Sequence, residues 1–534
     1  MDDYDIIIVG AGSAGSVLAD RLSADGTRRI LVLEAGGSDR RLYVKLPIGY
    51  GMTFHDPAVN WRFRAEPDAG VAGRQIYWPR GKGMGGSSSI NGLVYSRGLP
   101  GDYDDWAAAG NPGWDWASVA PVFERIECRV ARDGTERGPG PFRVADRSDQ
   151  YHPAKRHYLA AAEEAGLMPY DPDAPLSSEG VGPYHLTTRR GLRFSAADAF
   201  LRPALKRRNV TLLTGARVQR VLFEGRRATG VAFRVGGAAR QARAKTVILA
   251  AGAVQSPQIL QLSGIGPGAL LQQHGIDVVH DNAAVGGHLQ DHLGIDYLYR
   301  ATEPTLNQTL GTWMGLVGAT WQFVTGRGGP LSLSVNQMGG MVRARPGANR
   351  ADIQLYFNPL SYTTTYRNKR PLLRPDPWPG FAIGFNSCRP ASRGRVDIKS
   401  ADPEAAPAIH PAYLSDPQDL EEAVAGARLI ERLLATSALQ RLIDTPNGFN
   451  PTGATDEAIV QDFRERGATV FHACGTCRMA PDGVVGADLK VHGIEGLRVI
   501  DASVFPNITS ANTNGPTLML AAKAADMMLA DVAR

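Results

Sequence analysis

The sequence has no segment that would carry the chain across a membrane. No apolar run reaches the roughly 18 residues that span a bilayer. The longest candidate, residues 313–324, is interrupted by Gly315, Gly318 and Gln322. The first residues, MDDYDIIIVG, begin with acids and lack the basic start, long apolar core and cleavage site of a signal peptide. We therefore expect a cytoplasmic protein without a transmembrane segment.

Cysteine is rare, and charge of neither sign dominates. The 534 residues include four cysteines, and 58 basic residues stand against 53 acidic ones for a net charge of +5. The charges are spread along the chain without a Lys/Arg block, which argues against a nucleic-acid partner and against a basic membrane-binding segment. In a reducing cytoplasm a disulfide framework is not expected.

One stretch near the C-terminus, FHACGTCRM at residues 471–479, offers two kinds of chemistry. Cys474 and Cys477 could form a redox couple or half of a metal site, and His472 could be a catalytic base. A zinc site would need two more ligands that no second close cysteine pair supplies, and haem attachment would need His where Arg478 stands. A redox couple stays open, but two small side chains packed in a turn are the simpler interpretation.

What the chain does contain is material for a large globular protein. Apolar residues make up 43% of the sequence and charged residues 21%, which excludes wholesale disorder. The length exceeds what one hydrophobic core usually accommodates, so we expect two domains that can be interleaved along the sequence.

The first 34 residues follow a strand, glycine turn, helix and strand order. The apolar run at residues 5–9 leads into GAGSAG at residues 10–15, and a second apolar strand ends at Glu34. This is the dinucleotide-binding fingerprint, in which backbone approaches a pyrophosphate and the acidic residue hydrogen-bonds a ribose diol. It does not distinguish FAD from NAD. Residues 81–86, GKGMGG, match the same pattern without a preceding strand, so that copy is rejected.

Later segments return to the same architecture. Residues 245–252 and 497–501 are again short apolar strands, which predicts a nucleotide-binding domain assembled from both ends of the chain. Residues from about 300 to 465 are richer in proline, aromatic and irregular stretches, as in a second domain that shapes a pocket.

The chain resembles the glucose-methanol-choline (GMC) oxidoreductases, which are FAD-dependent enzymes that oxidise alcohols, and it most resembles their bacterial choline-dehydrogenase-like branch. The resemblance is carried by ordered blocks at residues 10–34, 79–92, 252–266, 286–292, 471–479, 501–503 and 512–517. It implies FAD rather than NAD.

The resemblance also implies a fold and a domain order. We expect an α/β protein in which a Rossmann-like FAD-binding domain is interleaved with a substrate-binding domain built on an antiparallel sheet with helices. The FAD-binding domain would comprise residues 1–152, 190–298 and 466–534. The substrate-binding domain would comprise residues 153–189 and 299–465.

Two departures from the family pattern refine the expected cofactor and substrate. Some relatives attach FAD through a histidine just before Asn91, but here Ile90 stands there, so FAD should be bound non-covalently. The choline-like branch often has a Glu-Ala-Gly-Gly stretch where this chain has Gln337 at the first position, so choline is not predicted as the substrate. Gln337 and Phe471 are nevertheless the residues that we expect in the substrate pocket.

The resemblance assigns residues to the cofactor site. They are Gly10, Gly12, Ser13, Ala14, Gly15, Glu34, Ala35, Arg80, Gly85, Gly86, Ser87, Asn91, Gly92, Val218, Ala251, Gly252, Asp501, Ala502, Asn514, Pro516 and Thr517. Pro516 suits the first position of a C-terminal helix, whose N-terminus would stabilise the anionic reduced flavin.

The catalytic pair implied by the resemblance is His472 with Asn512, although Asn514 is a second possible register. A neutral imidazole can take the alcohol proton near pH 7 while the amide orients the alcohol oxygen. We expect oxidation of a primary alcohol to the aldehyde, with electrons passing to a quinone, a redox protein or O2. A non-redox lyase like the hydroxynitrile lyases of this scaffold, or an inactive binding module, is the alternative.

Overall fold

The computed structural model describes residues 3–367 and 370–533, and two sheets organise it. The first sheet has seven strands, and its parallel part is built from the apolar runs predicted above. In sheet order the strands are Val210–Thr214, Ile30–Glu34, Asp3–Val9, Ala238–Leu249, Arg227–Val235 and Ala216–Glu224, with Leu497–Val499 paired parallel to Ala238–Leu249. A strand from residues 497–499 thus joins a sheet that begins at residue 3, as the sequence predicted.

Two helices from opposite ends of the chain pack against each other beside this sheet. Ser13–Leu22 follows the glycine turn, and Asn514–Ala533 is the last helix. The last helix begins at Asn514, two residues before the predicted start at Pro516. Pro516 therefore lies in the first turn, where its missing N–H has no intrahelical partner to lose.

The second sheet is antiparallel and also has seven strands. In sheet order they are Ile443–Pro446, Leu293–Ala301, Gly380–Ser387, Ile353–Asn358, Met338–Val342 and Gly180–Pro183, with Ala468–Thr469 paired to Leu293–Ala301. The helix Pro417–Leu434 packs on this sheet and contacts three further helices, Lys155–Glu164, Ser437–Gln440 and Asp456–Arg466. The predicted fold class, α/β with an antiparallel second sheet, is confirmed.

Smaller elements complete the two layers. The other helices include Leu42–Lys45, Tyr50–Thr53, Pro100–Ala108, Trp116–Ile126, Arg202–Ala204, Gly252–Leu262, Gly268–Gln273, Leu306–Gly311, Trp313–Gly326 and Ser437–Gln440. A five-stranded sheet contains Val94–Tyr95, His185–Leu186, Phe142–Ala145, Glu127–Val130 and Glu136–Arg137. Two-stranded pairs include Phe63–Arg64 with Tyr77–Trp78, Thr188–Arg189 with Leu192–Arg193, Tyr362–Arg367 with Arg370–Pro375, and Arg395–Asp397 with Ala408–His410.

The strand Leu293–Ala301 crosses the predicted domain boundary at residue 298 and belongs wholly to the antiparallel sheet. Ala468–Thr469 joins the same sheet although it lies in the segment assigned to FAD binding. The domain ranges remain a prediction. Among residues 3–367 and 370–533, no helix combines the length and apolar character needed to span a bilayer.

Candidate active site

A large cavity of about 1260 Å³ opens at the carboxyl ends of the parallel strands and extends to the antiparallel sheet. Val9 and Leu33 line one end, each close to the last residue of its strand, and Asp296 and Tyr356 line the other. Parallel sheets commonly bind ligands beyond the carboxyl ends of their strands. The position therefore fits a nucleotide at one end and a second ligand at the other.

Most residues assigned to the cofactor by sequence line this cavity. They are Gly10, Gly12, Ser13, Ala14, Glu34, Ala35, Arg80, Gly86, Ser87, Asn91, Gly92, Val218, Ala251, Gly252, Asp501, Ala502, Asn514 and Thr517. Gly15, Gly85 and Pro516 are not among the lining residues and lie next to residues that are. Their individual roles toward a cofactor remain predictions.

The glycine turn has the space that a pyrophosphate needs. Gly10 has a φ of +103°, and a Cβ there would lie 2.5 Å from the carbonyl oxygen of Ala250. A Cβ on Gly12 would meet only the Cα of Gly86, at 3.8 Å. Gly12 therefore leaves open the route by which a phosphate could approach the N-terminus of the helix Ser13–Leu22. The backbone here fits the pyrophosphate of FAD.

Glu34 organises the loops of the nucleotide site. Its carboxylate accepts hydrogen bonds from the backbone N–H groups of Ala11, Gly36 and Gly83, at 2.9, 2.8 and 2.9 Å. Burial raises the pKa of this carboxyl, and the three N–H donors oppose that shift. Glu34 thus already joins the first glycine turn to the loop at Gly83, and the predicted hydrogen bond to the ribose would be a further contact of the same carboxylate.

A buried arginine holds Asn91 from behind the cavity wall. Arg193 donates from Nη1 to the side-chain oxygen of Asn91 at 2.6 Å and from Nη2 to its carbonyl oxygen at 2.7 Å. Its other acceptors are the carbonyl oxygens of Val44 and Ser88. Because all these acceptors are neutral and the guanidinium is buried, desolvation lowers the pKa of Arg193 to about 9. Arg193 places a cation behind the wall that carries Asn91, and no sequence motif indicated it.

Asn514 links the two helix N-termini that face the cavity. Its side-chain oxygen accepts a hydrogen bond from the Ser13 hydroxyl at 2.7 Å. The last helix is thereby fixed to the first residue of the helix Ser13–Leu22. Asn514 thus supports the junction of the two helices, whereas Asn512 has its amide nitrogen 3.0 Å from His472 Nε2.

The histidine singled out by sequence, His472, is joined to a second buried histidine. The Nδ1 atoms of His472 and His292 are 2.8 Å apart, and His292 Nε2 is 2.9 Å from the carbonyl oxygen of Cys388. A carbonyl can only accept, so His292 carries its proton on Nε2 and its Nδ1 is an acceptor. His472 then donates from Nδ1, which leaves its Nε2 unprotonated and able to accept a proton.

Asn512 completes the pair on the cavity side. Its Nδ2 is 3.0 Å from His472 Nε2, and its Oδ1 accepts from Gln354 Nε2 at 3.3 Å. The donor and acceptor roles agree along the whole chain from the Cys388 carbonyl to Gln354. An alcohol oxygen that replaces the direct bond between the two side chains could accept from Asn512 and donate its proton to His472 Nε2.

Burial keeps both histidines neutral. Desolvation lowers the pKa of His472 well below 6.5, and the neighbouring His292 lowers it further. Desolvation also lowers the pKa of His292, to about 4. The neutral states that the hydrogen bonds require are therefore favoured at pH 7.

The main chain at His472 is held by a buried carboxylate. Asp291 Oδ1 accepts from the His472 N–H at 2.7 Å, and its Oδ2 accepts from the hydroxyls of Tyr413 and Thr469. The preceding residue, Phe471, has a φ of +70°, which a non-glycine residue adopts only when its surroundings impose it. This network fixes the direction in which the imidazole enters the cavity.

Beyond the His472–Asn512 pair, the cavity is mostly apolar. The apolar and aromatic lining includes Leu46, Ile48, Leu310, Leu331, Val335, Leu360, Tyr362, Phe385, Val470 and Phe471. Asp296 also faces it, and burial raises the pKa of this carboxyl, which favours its neutral form. Gln337, predicted for the pocket, does not line it. It is buried and accepts from the His152 N–H at 2.8 Å.

The surroundings of the two cysteines argue against a catalytic role for them. Cys474 and Cys477 are free thiols and fully buried. Burial raises the pKa of both thiols, so thiolate formation is disfavoured. Among the residues that the structure describes, no cluster of His, Cys, Asp and Glu could hold a metal ion.

Comparison with known proteins identifies the family. Two sequence profiles, both described as GMC oxidoreductase, match residues 4–294 and 390–521. The chain is 40% identical to the oxygen-dependent choline dehydrogenase of Photobacterium profundum, over 98% of this chain and 93% of the relative. It is 37% identical to an alcohol dehydrogenase [acceptor] of Pseudomonas putida, over 99% and 96%.

A solved structure shows the same fold. The crystal structure of pyridoxine 4-oxidase from "Mesorbium loti" superimposes with a TM-score of 0.87 at 30% identity, covering 98% of this chain and 99% of that one. Sequence profiles, full-length relatives and fold agree with the resemblance that the sequence blocks indicated. The chain belongs to the GMC oxidoreductase family.

Proposed function

We propose that the protein oxidises a primary alcohol to the aldehyde, with His472 as the base, Asn512 as the orienting residue and FAD bound non-covalently. The observation that carries the proposal is the unprotonated Nε2 of His472, which faces the cavity 3.0 Å from the amide nitrogen of Asn512. FAD, when bound, supplies the acceptor for the hydride that leaves the alcohol carbon.

The two side chains divide the work on the alcohol. The Asn512 amide donates to the alcohol oxygen and fixes its lone pair, so that the hydroxyl hydrogen is directed at His472 Nε2. His472 accepts this proton, because a hydride can leave the carbon only as the oxygen loses its proton. The positive charge that develops on His472 is shared through its Nδ1–H with His292, which accepts from it at 2.8 Å.

The residues that would hold FAD are those of the first half of the cavity. Gly12 leaves space for the pyrophosphate, Gly86 lets its loop pack against the Cα of Gly12, and Glu34 and Asn91 would contact the ribose and the isoalloxazine. Ile90 lines the cavity and has no nucleophilic atom, which supports non-covalent binding. Denaturation should then release all of the flavin from the protein.

The lining of the second half favours an apolar alcohol. Leucine, valine and aromatic side chains dominate it, and the raised pKa of Asp296 reduces the negative charge that a cationic alcohol would need. A hydrocarbon chain can lie along this apolar lining, while the buried Oδ1 of Asn358, which has no hydrogen-bond partner among the described residues, could accept from a polar group of the substrate. Medium-chain primary alcohols are therefore the substrates that we propose.

Anaerobic mixing of the FAD-bound protein with a series of primary alcohols tests the proposal. Bleaching of the flavin absorbance together with formation of the matching aldehyde is expected, and it should be strongest for apolar alcohols. Choline serves as the cationic comparison. If no alcohol in the series bleaches the flavin, the proposed reaction is wrong. Re-oxidation of the bleached protein with O2 or with a quinone then identifies the electron acceptor.

A further inference from the structure

One helix exposes its apolar side chains to solvent. In the 14-residue helix Trp313–Gly326, the exposed fractions are 75% for Trp313, 70% for Trp321, 66% for Met314, 64% for Val324 and 60% for Val317. None of the 14 residues is charged. Soluble proteins rarely expose a contiguous apolar face of this kind without a partner.

The direction of these side chains is a property of the helix and not of fraying at its ends. At 100° per residue the five exposed apolar positions share an arc of about 100°, and the two buried residues, Ala319 and Phe323, lie on the other side. The helix is thus apolar on its buried side and also on the side that points outward. Only a partner outside the described chain could shield these exposed apolar side chains from water.

The surrounding sequence is depleted of acids. Between residues 304 and 375 there is one acidic residue, Asp352, and there are eight basic residues: Arg327, Arg343, Arg345, Arg350, Arg367, Lys369, Arg370 and Arg374. Three of the arginines are paired in the structure, Arg343 with Glu179, Arg345 with Asp352 and Arg350 with Asp105. Residues 304–375 thus carry a net positive charge, although acidic and basic residues are nearly balanced over the whole chain.

Basic side chains also gather at the end of the helix itself. Arg327 directly follows Gly326 and is exposed. The exposed Arg189 and Arg190 belong to a hairpin whose Gly191 lies against the main chain of Arg327, because a Cβ there would be 2.1 Å from the Arg327 carbonyl oxygen. Three exposed arginines thus lie near the C-terminal end of the helix, where the Arg327 guanidinium stacks over the ring of Phe323 at 5.1 Å.

From this combination we propose that the helix Trp313–Gly326 docks on the surface of a bilayer that contains anionic phospholipids. An apolar face with tryptophans, next to arginines at one end of the helix, fits the boundary between acyl chains and headgroups. The helix is about 21 Å long, shorter than the roughly 30 Å hydrocarbon core, so it lies along the surface and does not span.

The helix is also part of the entrance to the active-site cavity. Leu316 lines the cavity, as does Leu310 of the preceding helix Leu306–Gly311. Docking would direct the cavity entrance toward the acyl-chain region, from which an apolar alcohol could enter. The docking itself does not depend on which reaction the site performs.

Co-sedimentation of the FAD-bound protein with lipid vesicles tests the proposal. Vesicles of phosphatidylcholine alone are compared with vesicles rich in phosphatidylglycerol, for the wild type and for the double variant Trp313→Gln/Trp321→Gln. Both tryptophans are exposed, so the core is unaffected, and flavin content verifies the fold. Met168→Gln is the matched control, because Met168 is 74% exposed and lies outside the helix.

We expect the wild type and Met168→Gln to bind the anionic vesicles and the double variant to bind about tenfold or more weakly. Arg327→Gln should weaken binding to anionic vesicles about fivefold and leave binding to phosphatidylcholine unchanged. Absence of vesicle binding by the wild type, or equal binding by the double variant, would overturn the proposal. A wild-type dimer that the double variant converts to a monomer, without vesicle binding, would show that a second copy covers the helix.

Discussion

Replacing His292 tests whether the second histidine sets the protonation of the first. His292→Phe keeps a planar ring in the buried site but removes the nitrogen that accepts from His472 Nδ1. His472 must then either leave a buried N–H without a partner or move its proton to Nε2, where it can no longer act as a base. We predict that the variant loses flavin-reduction rate for this reason.

The size of the loss follows from the cost of the missing acceptor. A buried donor without a partner costs about 1–3 kcal/mol, which corresponds to about a 5- to 150-fold lower population of the productive tautomer. The rate of flavin reduction at saturating alcohol should fall by that factor. The dissociation constant for the alcohol should change little, since His292 does not line the cavity.

His292→Asn is the matched variant. The oxygen of the shorter amide can occupy a position near that of the imidazole Nδ1 and accept from His472, so much of the rate should return. Anaerobic stopped-flow flavin reduction of both variants, with FAD content as the check on folding, is the assay. A His292→Phe protein that keeps FAD and reduces it within about twofold of the wild-type rate would refute the reasoning, because the missing acceptor alone should cost more.

Three further predictions concern the cofactor site and the cysteines. Glu34→Ala should release FAD more readily, since three backbone N–H groups lose their acceptor together with the ribose; equilibrium dialysis measures the release, and unchanged retention would contradict it. Arg193→Leu, which removes the cation behind Asn91, should lower the midpoint potential of the bound flavin, whereas a potential equal to that of the wild type would show that the guanidinium only supports the loop. Replacing Cys474 and Cys477 by alanine should leave flavin reduction within about tenfold of the wild-type rate, because packing losses of about 1 kcal/mol are expected. A larger loss in a variant that still binds FAD would show that the cysteines take part in the reaction.

The nucleotide-binding half of the molecule was predictable because its signals are local. The glycine turn, its flanking strands and Glu34 occupy 34 consecutive residues, and the strand at 497–499 carries an apolar run of its own. His472 and Asn512 were found through blocks shared with a known family. What the sequence did not reveal about Glu34 is its bond to Gly83, because that contact depends on a distant loop.

The residues that support His472 were missed for the same physical reason. His292 stands in one of the sequence blocks, but its role depends on the pairing of residues 468–469 with the strand that begins at Leu293. The bond from Val470 N–H to the His292 carbonyl oxygen continues this pairing. Gln337 was expected in the pocket, whereas the fold buries it next to His152. The apolar run at 313–324 could not show from sequence alone which of its faces would point outward.

Comparison of His472→Ala with Asn512→Ala in anaerobic stopped-flow flavin reduction across pH tests the central claim most directly. If His472 is the base, its loss should lower the reduction rate by about two to four powers of ten, more than the loss of the orienting amide. Because burial lowers the pKa of His472 well below 6.5, the imidazole is already neutral at pH 7, so the wild-type rate should be flat above pH 7 and fall only at lower pH, below the ordinary imidazole range. A His472→Ala protein that reduces its flavin nearly as fast as the wild type, with the same pH profile, would contradict the account.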